Sequence, residues 1–230
     1  MAKYLVKKIC TSGDCVEEFY SFSGRERLTR GQRKRGASDL RKVDSNFKSA
    51  VRRLARTLNC NFTHGDLLVT LDYADIEGKT REDFNKDCEL MLRRLKYQCR
   101  KNGSEFRWVW VFGEISTHTG LPSRPHHHIV MPRFAYETVV KNWTHGSVNY
   151  RLLQNQKDYT KLALYLLRNV DKNIPDAKKY RTSRNMKKPE WDEVRVKKLQ
   201  PIRIPKNAQV QARGEYDPSR YNDYVRYTKN

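Results

Sequence analysis

Three consecutive imidazoles stand in the segment Arg124-Pro125-His126-His127-His128-Ile129-Val130-Met131-Pro132. On a β-strand successive side chains alternate, so His126 and His128 share one face and His127 takes the other. Two imidazoles on one strand face can hold one divalent metal ion, and a third ligand is then wanted. Glu114 ends the preceding strand-like stretch, and a hairpin across the intervening loop would bring its carboxylate beside the pair. A histidine-rich strand end with no metal is the alternative. A candidate nucleophile lies downstream, in a helix expected over residues 158–170. On its wheel Tyr159, Leu162, Ala163, Leu166 and Val170 form the core stripe, whereas Tyr165 falls on the polar side with Lys161, Arg168, Asn169 and Lys172. The cations would steady a phosphate held against the Tyr165 hydroxyl, and a metal at the histidines would polarise that same phosphate. Taken alone, an exposed tyrosine beside lysine and arginine is equally an ordinary surface residue.

These side chains need elements to position them. Asp66 to Tyr73 is short, β-rich and mostly apolar, as a strand buried in a sheet would be. Phe106 to Glu114 reads as a second strand, with Trp108, Trp110, Phe112 and Glu114 on one face and Val109 and Val111 on the other, and His126 to Met131 as a third. Leu40, Val43, Phe47, Val51, Leu54 and Leu58 recur at helical spacing over residues 39–59, leaving Arg52, Arg53 and Arg56 as a candidate phosphate-binding face. Thr80-Arg81-Glu82-Asp83 supplies a cap and an acidic first turn for a helix running to Lys101, which Asn102-Gly103 ends. The order of elements predicts an α+β fold of ferredoxin-like type, an antiparallel sheet of about five strands with helices packed on it. Three segments follow: residues 1–37 as an N-terminal stretch with a basic loop, 38–172 as the functional domain, and 173–230 as a basic C-terminal extension with strand candidates at 193–199 and 201–204.

Composition narrows the partners. The 230 residues carry 47 Lys and Arg against 26 Asp and Glu, a formal net charge of +21. Charge of that size attracts a polyanion, because neutralising phosphates releases counterions. It is concentrated in residues 25–56, with 12 basic and 3 acidic side chains, and in residues 171–230, with 16 and 8, whereas 57–115 holds 9 and 10. Arg124, Lys172, Arg181, Arg184, Lys187 and Lys188 join Arg52, Arg53 and Arg56 as candidate DNA contacts. A mean hydropathy of −0.90 and no apolar run near the roughly 18 residues of a spanning helix exclude a helical membrane protein. Eleven per cent aromatic residues is too many for a disordered basic tail. The five cysteines, Cys10, Cys15, Cys60, Cys88 and Cys99, have no Cys-x-x-Cys spacing and read as reduced thiols. That weakens a structural zinc protein, and with no signal-peptide pattern at Met1 to Lys8 a cytoplasmic location is expected. No Gly-x-x-x-x-Gly-Lys-Ser/Thr is present, so no fused P-loop helicase is read.

The histidine strand followed by a tyrosine-bearing helix resembles the HUH endonucleases, and the wider context resembles the rolling-circle replication initiators of phages and plasmids. Asp66 to Tyr73, with its Thr70-Leu71-Asp72-Tyr73 end, is similar to their first motif. Glu114 with Arg124 to His128 is similar to the second, and Lys161 to Arg168 to the third, Tyr-x-x-Lys. Trp143 to Val148 and Lys179 to Pro189 are similar to segments flanking the third motif. The likeness covers roughly residues 60 to 190. His127 stands where a hydrophobic residue is usual, and Arg168 where Lys is usual. The resemblance implies an HUH endonuclease fold and a nickase in which Tyr165 attacks single-stranded or melted origin DNA. The products would be a 5′-phosphotyrosyl link and a free 3′-hydroxyl, with Lys161 and Arg168 in support. It also implies Mn²⁺ or Mg²⁺ on Glu114, His126 and His128, and a host helicase and polymerase as partners. A single-tyrosine transposase or mobilisation relaxase would use the same constellation. A non-catalytic basic nucleic-acid-binding module is the reading from another class, with the aromatic strand 106–112 stacking on bases. Oligomeric state leaves no mark in the sequence.

Overall fold

The computed structural model describes residues 4–23, 40–154, 156–171, 179–214 and 223–229. The elements run β1 (Tyr4–Ser12), β2 (Cys15–Ser23), α1 (Leu40–Asn61), β3 (Leu67–Asp72), α2 (Arg81–Lys101), β4 (Val109–Ile115) and β5 (Pro122–Met131). There follow α3 (Tyr136–Asn142), β6 (Val148–Leu152), α4 (Thr160–Arg168), β7 (Arg181–Thr182), β8 (Glu190–Val196), β9 (Gln209–Arg213) and β10 (Asp223–Thr228). The fold is α+β. The chain divides into two compact units, residues 1–60 with 188–230, and residues 61–187. Among the described residues no helix is long and apolar enough to cross a membrane.

The first unit is an antiparallel sheet in the order β8-β1-β2-β10-β9. Leu5, Val16, Tyr20, Ile202, Val225 and Tyr227 pack as a core within it. Consecutive glutamates on β2 point to opposite faces, and both are buried. Glu17 accepts two bonds from the Arg56 guanidinium of α1, at 2.8 and 2.7 Å, and one from Tyr224 Oη at 3.1 Å. Glu18 accepts from Tyr227 Oη at 2.7 Å and pairs with Lys7 at 2.7 Å. A buried carboxylate persists only when paired and hydrogen-bonded, and these are. Residues 188–230 are therefore no appendage: β8 and β10 flank the β1–β2 hairpin, and the terminal segments complete each other's sheet. The strand expected at 193–199 is β8, three residues earlier at each end, while 201–204 forms none.

The second unit is an antiparallel sheet in the order β6-β3-β5-β4-β7. Thr80 and Asp83 cap α2 reciprocally, and its apolar stripe of Phe84, Cys88, Met91, Leu92, Leu95 and Cys99 is buried as its periodicity predicts. That stripe packs on Leu67, Val69 and Leu71 of β3, Trp110 and Phe112 of β4 and Ile129 and Met131 of β5, together with Val139 and Trp143. The other face of the sheet receives α4, whose Ala163, Leu166 and Leu167 are buried. Trp143 to Ser147 crosses the end of β3: Trp143 Nε1 donates to Asp72 O at 3.1 Å, and Ala74 N donates to His145 O at 2.8 Å. Gly146 permits that crossing, since a Cβ there would stand 2.3 Å from Asp72 O.

Candidate active site

The cross-strand register sorts the three histidines. His126 faces Asp72 on β3 and Gly113 on β4, His128 faces Thr70 and Val111, and His127 faces Leu71 and Phe112. Alternation therefore turns His127 into the α2 side and leaves His126 and His128 on the α4 side.

His127 is fully buried and completely bonded. Trp110 Nε1 donates to its Nδ1 at 2.9 Å, so its proton sits on Nε2, beside Phe84 O at 3.1 Å and Tyr73 Oη at 2.9 Å. Burial pushes its pKa down to about 3, which keeps the ring neutral. Burial likewise raises the Tyr73 hydroxyl, which donates to Phe84 O at 3.0 Å. The middle histidine is thus part of the core, in the place where a hydrophobic residue would also fit.

On the opposite face a cavity of about 650 Å³ is lined by Thr70, Asp72, His126, His128, Asn149, Arg151, Tyr165 and Asn169, with the 115–118 loop along its rim. His126 Nδ1 lies 2.9 Å from the carbonyl of Arg124, which can only accept, so the lone pair of this ring is on Nε2. That Nε2 is 3.2 Å from Nε2 of His128, whose Nδ1 is 3.1 Å from Thr70 Oγ1. If His128 donates from Nδ1 to Thr70, two nitrogen lone pairs face one another, and a cation between them satisfies both. Burial pushes His128 down to about 3, with the neighbouring His126 and Arg151 adding to the effect, so it presents a neutral imidazole. The donor chemistry therefore fits a divalent cation. Gly113 makes the room: a Cβ there would lie 2.4 Å from His126 Nε2.

Tyr165 joins this pair. Its Oη is 3.5 Å from His128 Nε2, with ring centroids 5.4 Å apart, and it remains partly exposed to the cavity. Asn169 Nδ2 donates to the Tyr165 carbonyl at 2.8 Å, and Asn169 O accepts from the backbone N–H groups of Glu114 and Ile115 at 2.9 and 3.0 Å. One asparagine thereby fastens the end of α4 to the end of β4. Tyr159, on the core stripe, is buried as its wheel position predicts.

Glu114 is not brought to the histidines. The β4–β5 register shifts between Gly113 and Ile115, and the Glu114 carboxylate accepts from Arg81 of α2 at 2.6 Å. Burial raises its pKa, with Arg81 opposing. Among the described residues no three His, Cys, Asp or Glu side chains group as a complete metal cage. The carboxylate on the face of the pair is Asp72, which takes bonds from Ser147 Oγ at 3.2 Å and Asn149 Nδ2 at 3.3 Å. Its place opposite His126 follows from pairing across β3 and β5, which no local pattern announces.

The expected cationic contacts divide. Arg52 is 4% exposed and Arg56 is committed to Glu17, so of the helix trio only Arg53 is exposed. The cause is that α1 packs with Val51, Leu54, Ala55 and Leu58 buried, and positions 52 and 56 border that stripe. Arg124 donates to the carbonyls of Tyr73 and Ala74, and Arg181 pairs with Glu89. Arg184, Lys187 and Lys188 are exposed, as are Lys161 and Arg168 one turn either side of Tyr165. Lys172 and the basic loop lie outside the described residues.

Residues 66–174 match the family model of the replication-associated protein ORF2/gene 2 protein. The match begins at the residue before β3, runs beyond α4, and so takes in Asp72, the histidine strand and Tyr165. It covers just under half of the chain and supports a replication initiator of the Rep type, acting on DNA. No curated protein and no solved structure matches the chain.

Proposed function

We propose that this chain is a replication initiator that nicks single-stranded origin DNA with Tyr165 and rejoins strands by the reverse reaction. The observation that carries the reading is the meeting of Tyr165 Oη, His128 Nε2 and His126 Nε2 in one open, polar cavity. The Tyr165 oxygen bonds to phosphorus while the bond from phosphorus to the 3′ oxygen breaks. The proton lost by the phenol is matched by the one the departing 3′ oxygen gains. The products are a 5′-phosphotyrosyl enzyme and a free 3′-hydroxyl for a polymerase, and attack by a 3′-hydroxyl restores the phosphodiester. His126 and His128 would hold a Mn²⁺ or Mg²⁺ ion, which would withdraw charge from the non-bridging phosphate oxygens. Two imidazoles suit Mn²⁺ better than the all-oxygen shell that Mg²⁺ prefers. Asn169 holds Tyr165 at the right height on α4, and Arg151, Lys161 and Arg168 provide positive charge for phosphates on either side of the scissile bond. A host helicase would extend the melted strand for the polymerase.

Single strands tiled across the replicon that encodes the protein, incubated with it and Mn²⁺, should yield an adduct that survives denaturing electrophoresis. Tyr165→Phe should abolish the adduct and leave DNA binding intact, and chelation with EDTA should stop cleavage. An adduct formed by Tyr165→Phe would remove Tyr165 from its role.

A further inference from the structure

A second cavity of the residue 61–187 unit opens at the β7 edge, on the α2 side of the sheet, the face opposite Tyr165 and the paired histidines. Its volume is about 330 Å³, and its walls include Leu92, Arg93 and Lys96 of α2, Trp108 and Arg184. The sequence Trp108-Val109-Trp110 sets both indoles on this side, with centroids 6.5 Å apart. Trp110 is buried and lies under the Arg181 guanidinium at 4.8 Å, whereas Trp108 is only partly buried and forms a wall of the cavity. Two bonds fix its backbone to Ser183: Ser183 N donates to Trp108 O at 3.0 Å, and Trp108 N donates to Ser183 Oγ at 3.2 Å.

The electrostatics are one-sided. Glu89 is the acidic residue of the wall, and Arg181 already pairs with it. Among the described residues no carboxylate pairs with Arg93, Lys96 or Arg184, so three cations surround an indole and a leucine. An indole face ringed by cations matches a ligand that carries its own aromatic plane and negative charge together. A duplex would offer its phosphates but keep its base faces stacked away, and the space suits one nucleotide.

We propose that this cavity binds one nucleotide of single-stranded DNA, its base stacked on Trp108 and its phosphates met by Arg93, Lys96 and Arg184. The proposal rests on the reading that the chain acts on single-stranded DNA, and adds a site for a segment of strand other than the one at Tyr165. The site anchors the strand and takes no part in bond cleavage.

The test uses the full chain in EDTA with a fluorescein-labelled twelve-nucleotide oligothymidine, read by anisotropy, and the same strand with 5-iodouracil for photocrosslinking and peptide mapping. The expected crosslink is to the peptide holding Trp108. Trp108→Leu should weaken binding about tenfold or more, Trp108→Tyr should retain most of it, and Arg93→Glu with Lys96→Glu should weaken it and flatten its salt dependence. Circular dichroism melts identify a variant that has unfolded, and the exposed positions 93 and 96 then decide the outcome. Unchanged affinity in the charge-reversal variant, a crosslink confined to peptides of the Tyr165 cavity, or an equal effect of Trp108→Leu on a duplex of the same length would overturn it. Absence of an adduct at Tyr165 would sink the nuclease reading and leave these binding results standing. A normal adduct with no effect of these substitutions would sink this site alone.

Discussion

Three identical side chains in a row on β5 meet two different solvents. His127 enters a dry pocket of Trp110, Tyr73 and Phe84, where each ring nitrogen has a partner. His126 and His128 open onto a polar cavity, where their Nε2 atoms are aimed at one another and at Tyr165. The chemistry of imidazole is the same on both sides of the sheet, so the face decides the role: on one it is a hydrogen-bonding core residue, on the other a reactive one. Residue type alone is therefore a poor guide to function where a strand is buried on both faces.

The contrast is sharpest in His127→Ala, which removes a fully buried ring and strands the indole N–H of Trp110. The expected loss is about 3–5 kcal/mol of stability, read from the denaturant midpoint. Any fall in cleavage by this variant should follow its unfolded fraction. A His127→Ala protein as stable as wild type would erase the distinction between the faces.

His126→Ala should do the reverse. Its ring is half-buried, so stability should move by less than about 1 kcal/mol. Adduct formation with Mn²⁺ should fall by about a hundredfold or more. Comparable melting losses at positions 126 and 127 would contradict the assignment.

Gly113→Ala probes the same face without touching a histidine. The added methyl meets the far end of the His126 ring, which can swing away, so the fold should survive at a cost under about 1.5 kcal/mol. Adduct formation should drop by about tenfold or more as Nε2 leaves its position, and full activity would show that this position is not needed.

The smallest effect compares two carboxylates. Asp72→Asn should cost about tenfold in Mn²⁺-dependent cleavage, because Asp72 shares the face and the cavity of the paired histidines. Glu114→Gln should act mainly on stability through Arg81, by about 1 kcal/mol. The opposite order would return Glu114 to the role its position in the sequence suggests.

Much of this was legible beforehand. The helical stripes of α1, α2 and α4, the capping box at Thr80 and the strands around the histidines follow from local periodicity, and local periodicity reports local structure. The glutamate failed because its place depended on a register shift after Gly113 and on an arginine from α2. Arg52 and Arg56 failed because a helix wheel shows a charged position but not what packs beside it, here a buried glutamate on β2. The terminal sheet was missed because β8 and β10 pair with a hairpin near the N-terminus, and pairing between distant segments leaves no periodic trace.

By itself the sequence determined that His126 and His128 share a face apart from His127, that Tyr159 is packed and Tyr165 is not, and that a polyanion is attracted. Each follows from backbone geometry or net charge, which need no knowledge of neighbours. Only the tertiary structure decided which face is dry, which carboxylate reaches the histidines, which arginines remain exposed, and that Trp108 borders a cationic cavity. Those outcomes depend on what packs against each strand, and burial sets whether a polar group becomes a satisfied core residue or a reactive one.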